Sequence, residues 1–233
     1  MSDPNILFLS ASCPFDSYGA AFRARLVADG LSLAGRVTVV PVSRIPWSQG
    51  GLDATSARFN TARHVLQRQH PKRLLPAVAR NLSASLMNSD DLLVSSDDRT
   101  MIAEMSKAAD LIWVEEVGIA NALRAWRWPR GVLDADDLYS RYLRGRSACV
   151  TGAQRLKTLW QSQVWRRREE HFRNRFDRVV VCSEDDRAYL GSGPHLRVIP
   201  NAGHWPQFET PELTRRYVRA FLSTPLKLLK VEF

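Results

Sequence analysis

The sequence predicts a doubly wound α/β domain, built on a mostly parallel Rossmann-like sheet and followed by a C-terminal helical tail. Short continuous apolar runs recur along the chain, as strands buried on both faces require. They are NILFLS at 5–10, RVTVVPV at 36–42, DLIWVEE at 110–116, GVLDADD at 131–137 and RVVVC at 178–182. Segments with helical spacing of apolar residues separate most of them, the alternation that builds a parallel sheet. Two of the runs end in carboxylates, at the strand ends where such sheets collect ligands.

Taken in order, Asn5–Ser10 is a buried strand that opens into a Ser-Ala-Ser-Cys-Pro loop. From Tyr18, the apolar positions Ala21, Phe22, Leu26, Val27, Leu31 and Leu33 follow a helical period, and Gly35 ends that helix. Arg36–Val42 returns as the next strand, completing a β-α-β unit. Ser56–Gln69 and Lys72–Met87 read as helices joined at His70-Pro71, because the residue before a proline resists helix. Asp97–Ala109 is an amphipathic helix feeding the strand Asp110–Glu116. Ile119–Trp126 is a short helix closed by Pro129, and Gly131–Asp137 is again a strand. A basic helical region covers Leu138–Asn174, with breaks expected near Gly145 and Gly152. Strand, short helix and strand then lead to Pro200-Asn201. Residues 1–201 are expected to form the domain and 202–233 the tail.

With 233 residues, 45% of them apolar, the chain can bury one substantial core. The net charge is +9 and the isoelectric point about 10.0, which invites anionic partners. The excess is concentrated: Arg141–Arg178 holds eleven Lys/Arg against Glu169, Glu170 and Asp177, a net of +8. A uniformly basic nucleic-acid binder would spread its charge, so no nucleic acid is expected. A single basic helix suits phosphate or anionic lipid. Cys13, Cys149 and Cys182 are odd in number and lack CxxC spacing, which argues against a disulfide framework or zinc site and fits a reducing cytoplasm. The strand Ile6–Ser10 is too short for a signal core or a membrane span. A cytoplasmic protein, able to lie on the inner membrane face, is expected.

The first loop, 10–25, joins strand one to helix one, and its candidates are Ser12, Gly19 and Arg23. A glycine there lets backbone approach a ligand, and a helix N-terminus favours anions. The fingerprint G-x-G-x-x-G is absent, so NAD is not supported. Asp134, Asp136 and Asp137 stand at a strand end, either as helix caps or as a cleft-lining acidic cluster. Adjacent strand residues point to opposite faces, so Glu115 and Glu116 cannot both serve one site. Glu116 is the cleft candidate, and as a general base it would need hydrogen-bond reach to an acceptor hydroxyl. Ser183 with Asp186 forms a capping-box-like helix start. In the helix 160–175, residues 160, 164, 165, 168 and 172 share one face, which should bury the aromatics and leave most arginines outside. Arg166, Arg167 and Arg168 are therefore the candidates for an anionic surface, if that face is not merely solvated.

Several of these motifs, in this order, resemble family-4 glycosyltransferases. Pro14…Gly19…Arg23 is similar to the P-x(n)-G-x-x-x-R opening of the bacterial polysaccharide enzymes. Asp134, Asp136, Asp137 and Ser140 resemble the family's D-x-D-D-x-S element. Ser183-Glu184-x-Asp186 and the VIPN of 198–201 resemble the end of its N-terminal domain. The resemblance covers 5–201. It implies the acceptor-side half of a GT-B fold, serving transfer of a sugar from a nucleotide donor to a growing polysaccharide or lipid-linked glycan. It implies no bound metal, and no catalytic residue is assigned to this half. The E-x7-E-type donor half is not found in the sequence, so the chain is expected to be truncated, to bind no cofactor alone and to be inactive alone. A nucleotide sugar would enter as donor if a separate donor domain were supplied.

The tail departs from that family. Gly203, His204, Glu209, Pro211, Glu212, Phe221 and Leu222 resemble the C-terminal histidine segment of α/β-hydrolases. A hydrolase also needs a nucleophile elbow, G-x-S-x-G, and Gly191-Ser192-Gly193 lacks its spacing. A hydrolase chimera and a non-catalytic basic module on anionic membrane are the rival readings.

Overall fold

The computed structural model describes residues 3–69 and 92–199. Its centre is a parallel sheet in the order β10-β9-β8-β7-β1-β2-β3. These strands are β1 (Asn5–Ser10), β2 (Arg36–Ser43), β3 (Asn60–Thr61), β7 (Leu111–Val114), β8 (Trp128–Asp134), β9 (Phe176–Val181) and β10 (Leu196–Val198). β4 (Val65–Leu66) pairs with β2 farther along the same edge. β5 (Arg68–Gln69) and β6 (Leu92–Leu93) form a separate antiparallel pair. The expected Rossmann-like α/β class is what the chain adopts. The strand order reverses between β1 and β7, so the ligand crevice of such a sheet opens at their carboxyl ends.

Alternation along each strand divides the core in two. Leu7, Leu9, Val40, Val42, Ile112, Val114, Leu133 and Val179 face one side, with Ile102 of α3 (Ser96–Ala108) and Ile119 of α4 (Val117–Ala122). Ile6, Phe8, Val37, Val39, Leu111, Trp113, Val132 and Val180 face the other, under Ala24, Val27 and Leu31 of α1 (Gly19–Ser32). Continuous apolar runs were required because both faces are covered. Glycine at 35 is fixed by crowding: a Cβ there would stand 2.3 Å from the Pro4 carbonyl oxygen. That oxygen accepts the Arg36 amide at 2.8 Å, which starts the β1–β2 pairing.

The structure corrects the reading of 56–69. The helix there is α2 (Gln49–Ser56), started by Ser48, whose hydroxyl accepts the Gly51 amide. Residues 57–69 then run along the sheet edge, with the Ala62 and Gln67 amides donating to Val39 and Ser43 carbonyls. Phe59 and Val65 are buried in opposite cores, which a single helix face could not achieve. The helix at 119–126 is also shorter than expected, ending at Ala122, with Arg124 at a φ of 55°. Pro129 lies inside β8, next to its bulge, rather than in a closing turn.

The basic region resolves into α5 (Tyr139–Ser147), α6 (Gly152–Glu170) and α7 (Phe172–Arg175). Gly145 sits within α5 and makes no break, whereas Gly152, at a φ of 57°, begins α6 after the true interruption. α8 (Glu184–Leu190) starts on the expected box: Ser183 accepts the Asp186 amide and donates to its carboxylate. It closes on Gly191 in the left-handed region, φ 105°. The expected helix at 72–87 and the tail at 202–233, with His204, lie outside the described residues.

Candidate functional site

The crevice is floored by an ion pair. Arg23, on the second turn of α1, reaches Asp134 at the end of β8: Nη2–Oδ1 is 2.6 Å, and Nε stands 3.3 and 3.2 Å from the two carboxylate oxygens. Arg23 is 5% and Asp134 2% exposed. Asp136 lies 3.5 Å from the same guanidinium and is half-buried. Burial alone would lower the Arg23 pKa, but the Asp134 and Asp136 charges more than reverse this and raise it. A bidentate fork of this kind fixes orientation as well as charge.

The next layer is Glu115, which follows β7. Its Oε2 receives the Ala11 amide at 2.7 Å, the Ser12 amide at 3.1 Å and the Ser10 hydroxyl at 2.5 Å. The loop after β1 is thereby wrapped around one carboxyl group. Burial pushes that carboxyl up to about 8, helped by the neighbouring Glu116 and opposed by Ser10 and Ser12. The Ser10 hydroxyl also stands 2.7 Å from the Ser12 carbonyl, so its single proton is shared between two acceptors.

Glu116 turns the other way, to the exposed rim. Desolvation by the surrounding protein raises its pKa, as do Asp136, Asp134 and Asp137, while Arg44 lowers it. The rim of the crevice is thus acidic and able to accept hydrogen bonds from hydroxyl groups. Among the described residues no group of His, Cys, Asp and Glu is arranged to hold a metal ion.

The predicted residues divide clearly. Arg23, Asp134 and Asp136 meet in one cluster, Ser12 is held through its amide by Glu115, and Glu116 is exposed. Gly19 is exposed at the start of α1, and a Cβ there would touch nothing within 4 Å, so close backbone approach does not require this glycine. Arg166, Arg167 and Arg168 do not form one surface. Arg168 is 4% exposed and stacks on Trp165 at 4.9 Å. Arg166 lies over the Tyr189 ring at 4.0 Å and pairs with Glu170 at 3.2 Å. Of the three, Arg167 alone is classed as exposed. Of the face expected to be buried, Val164, Arg168 and Phe172 are buried and Trp165 is half-buried, but Trp160 is 41% exposed, and Thr158, Ser162 and Glu169 are buried as well.

Sequence reasoning assigned no role to Glu169. Its carboxylate receives the Ser140 amide at 2.9 Å and the Ser140 hydroxyl, which also meets the Tyr189 hydroxyl at 3.0 Å. Ser162 donates to the Ser140 carbonyl at 2.8 Å. Ser140 of the D-x-D-D-x-S element therefore pins α5 to α6 and α8. Arg141 extends the brace, meeting Asp186 at 2.5 Å, and a hollow of about 490 Å³ opens between α5 and α8. Cys182 donates to Asp186 at 3.1 Å. Burial and the Asp186 carboxylate push its thiol up to about 12, so it is no nucleophile at neutral pH.

The site therefore belongs to a Rossmann-type α/β domain with its crevice at the β1–β7 reversal. No protein-family model matches the chain, and no curated protein matches it. Among solved structures it overlaps a UDP-glucosyltransferase from Polygonum tinctorium, capable of glucosylating indoxyl, in complex with 3,4-dichloroaniline. The TM-score is 0.45 at 14% identity, over 86% of this chain and 52% of that one. This chain thus spans about half the length of that protein. It also overlaps sucrose-phosphate synthase from Thermosynechococcus elongatus, with a TM-score of 0.37 and 15% identity over 93% of this chain and 99% of the other.

Proposed function

We propose that this chain provides the acceptor-side half of a nucleotide-sugar-dependent glycosyltransferase of polysaccharide or lipid-linked glycan synthesis, complementary to a donor-side domain. One observation carries the reading. Arg23, from the Pro14…Gly19…Arg23 opening, and Asp134, from the D-x-D-D-x-S element, stand 111 positions apart and close on each other as a buried fork. The two halves of the sequence resemblance are one physical site at the mouth of the sheet.

In this reading the Arg23–Asp134 pair is the rigid floor. Glu116 and Asp136 accept hydrogen bonds from the hydroxyls of an incoming glycan, and the donor diphosphate is held by the other domain. The test uses the purified chain with UDP-glucose, UDP-N-acetylglucosamine and GDP-mannose, and with a panel of gluco- and manno-oligosaccharides. Saturation-transfer NMR should show oligosaccharide binding that Glu116→Ala and Asp136→Ala abolish, with no turnover of any sugar nucleotide. Release of UDP or GDP by the chain alone would overturn the division of labour. Absence of glycan binding across the panel would overturn the acceptor assignment.

A further inference from the structure

We infer that the outward face of α6 is a docking surface for an anionic lipid bilayer. The helix is inside-out. Its inward side is largely polar: Thr158, Ser162, Arg168 and Glu169 are buried, beside Val164. Its outward side carries Leu156 at 70%, Leu159 at 36% and Trp160 at 41% exposure. Burial of apolar area is what orients a helix on a domain. A helix that hides hydroxyls and shows leucines and a tryptophan is oriented for a second environment.

At the α-helical turn angle Leu156, Leu159 and Trp160 fall within about 100° of arc. Arg155 flanks that stripe on one side and Lys157 on the other, both exposed, and exposed Arg167 follows two turns on. From Leu138 to Arg168 the chain contains eight Lys/Arg and no Asp or Glu. Three of those basic groups are spent internally: Arg141 on Asp186, Arg166 on Tyr189 and Glu170, and Arg168 on Trp165. Arg144, Arg146, Arg155, Lys157 and Arg167 remain exposed.

This chemistry selects the occupant. A shallow apolar stripe bordered by cations with long alkyl stems suits an interface where leucine and indole enter the acyl boundary and Lys/Arg reach phosphates. No helix among the described residues is long and apolar enough to cross a membrane, so the contact is a helix lying on the surface. Because Arg166 and Arg168 are committed inward, the determinants are Arg155, Lys157 and Arg167 with Leu156, Leu159 and Trp160.

The experiment is co-sedimentation of the full chain with vesicles of phosphatidylcholine alone and of phosphatidylcholine mixed with phosphatidylglycerol. Binding is expected only to the mixed vesicles and should fall as salt rises. Arg155→Glu with Lys157→Glu should weaken it roughly tenfold or more, and Leu156→Ser with Leu159→Ser should abolish it. Both pairs point outward, so their thermal melts should match the parent, and folding is checked that way. Failure to bind mixed vesicles, or binding that either pair leaves unchanged, would overturn the proposal. So would a dimer of the parent chain that the leucine pair converts to monomer, because a second copy would then be the occupant.

Discussion

Replacing Arg23 with methionine tests the floor of the crevice most directly. The substitution keeps an unbranched side chain of similar reach but leaves Asp134, 2% exposed, without the guanidinium that holds both its oxygens. Removing one partner of a buried pair costs about 3–5 kcal/mol, because the charge left behind is neither solvated nor compensated. With a urea dependence of about 2–3 kcal/mol/M for a domain of this size, the unfolding midpoint should fall by about 1–2 M. Arg23→Lys should lie between, since an ammonium supplies charge without the planar fork. Arg23→Met combined with Asp134→Leu should recover most of the loss, since neither charge then remains to be desolvated. The measurement is equilibrium urea unfolding followed by circular dichroism. A midpoint shift of less than about 0.3 M for Arg23→Met would refute the reasoning. So would a double variant no more stable than the single one.

Other outcomes follow from the same contacts. Glu115 has its folded pKa raised to about 8 from an ordinary 4.5. Its contribution to stability is therefore complete below pH 4.5 and is lost as pH rises toward 8. Stability should decline across that window by roughly 1.4 kcal/mol per pH unit at most, and Glu115→Gln should flatten the decline. Melts between pH 5 and 8 check this, and a slope that survives in the variant would refute it. Gly35→Ala should cost about 1–3 kcal/mol, because its methyl group would meet the Pro4 carbonyl at 2.3 Å and strain the β1–β2 start. A melting temperature equal to the parent's would refute that. Ellman's reagent at pH 8 should label Cys149 rapidly, since it is exposed, while buried Cys13 and the Cys182 thiol on Asp186 react only on unfolding. Two fast thiols would show that one of those environments is misjudged.

The acidic rim and the basic helix were both visible in the sequence, but their partners were not. Asp134 could be placed at a strand end from the run GVLDADD, yet its ion pair joins α1 to β8 across 111 positions. Glu115 read as the redundant half of an adjacent pair. Its position beneath the β1 loop follows from β7 lying beside β1, where the Glu115 amide donates to the Leu9 carbonyl. Arg168 stands both in a run of arginines and on the helix face expected to be buried; the structure decides for the buried face, with its guanidinium against the Trp165 ring.

Local chemistry in the sequence determined the fold class. Unbroken apolar runs demand strands covered on both faces, and Ser183 with Asp186 starts a helix by satisfying its own amides. Those requirements act within a few residues and leave a signature in any sequence that meets them. The tertiary structure alone decided that 57–69 follows a sheet edge, because its amides find Val39 and Ser43 there rather than one another. It also decided which charges were consumed internally and which residues of α6 face outward. Those choices depend on distant neighbours, and the hydrophobic period of a single helix does not encode them.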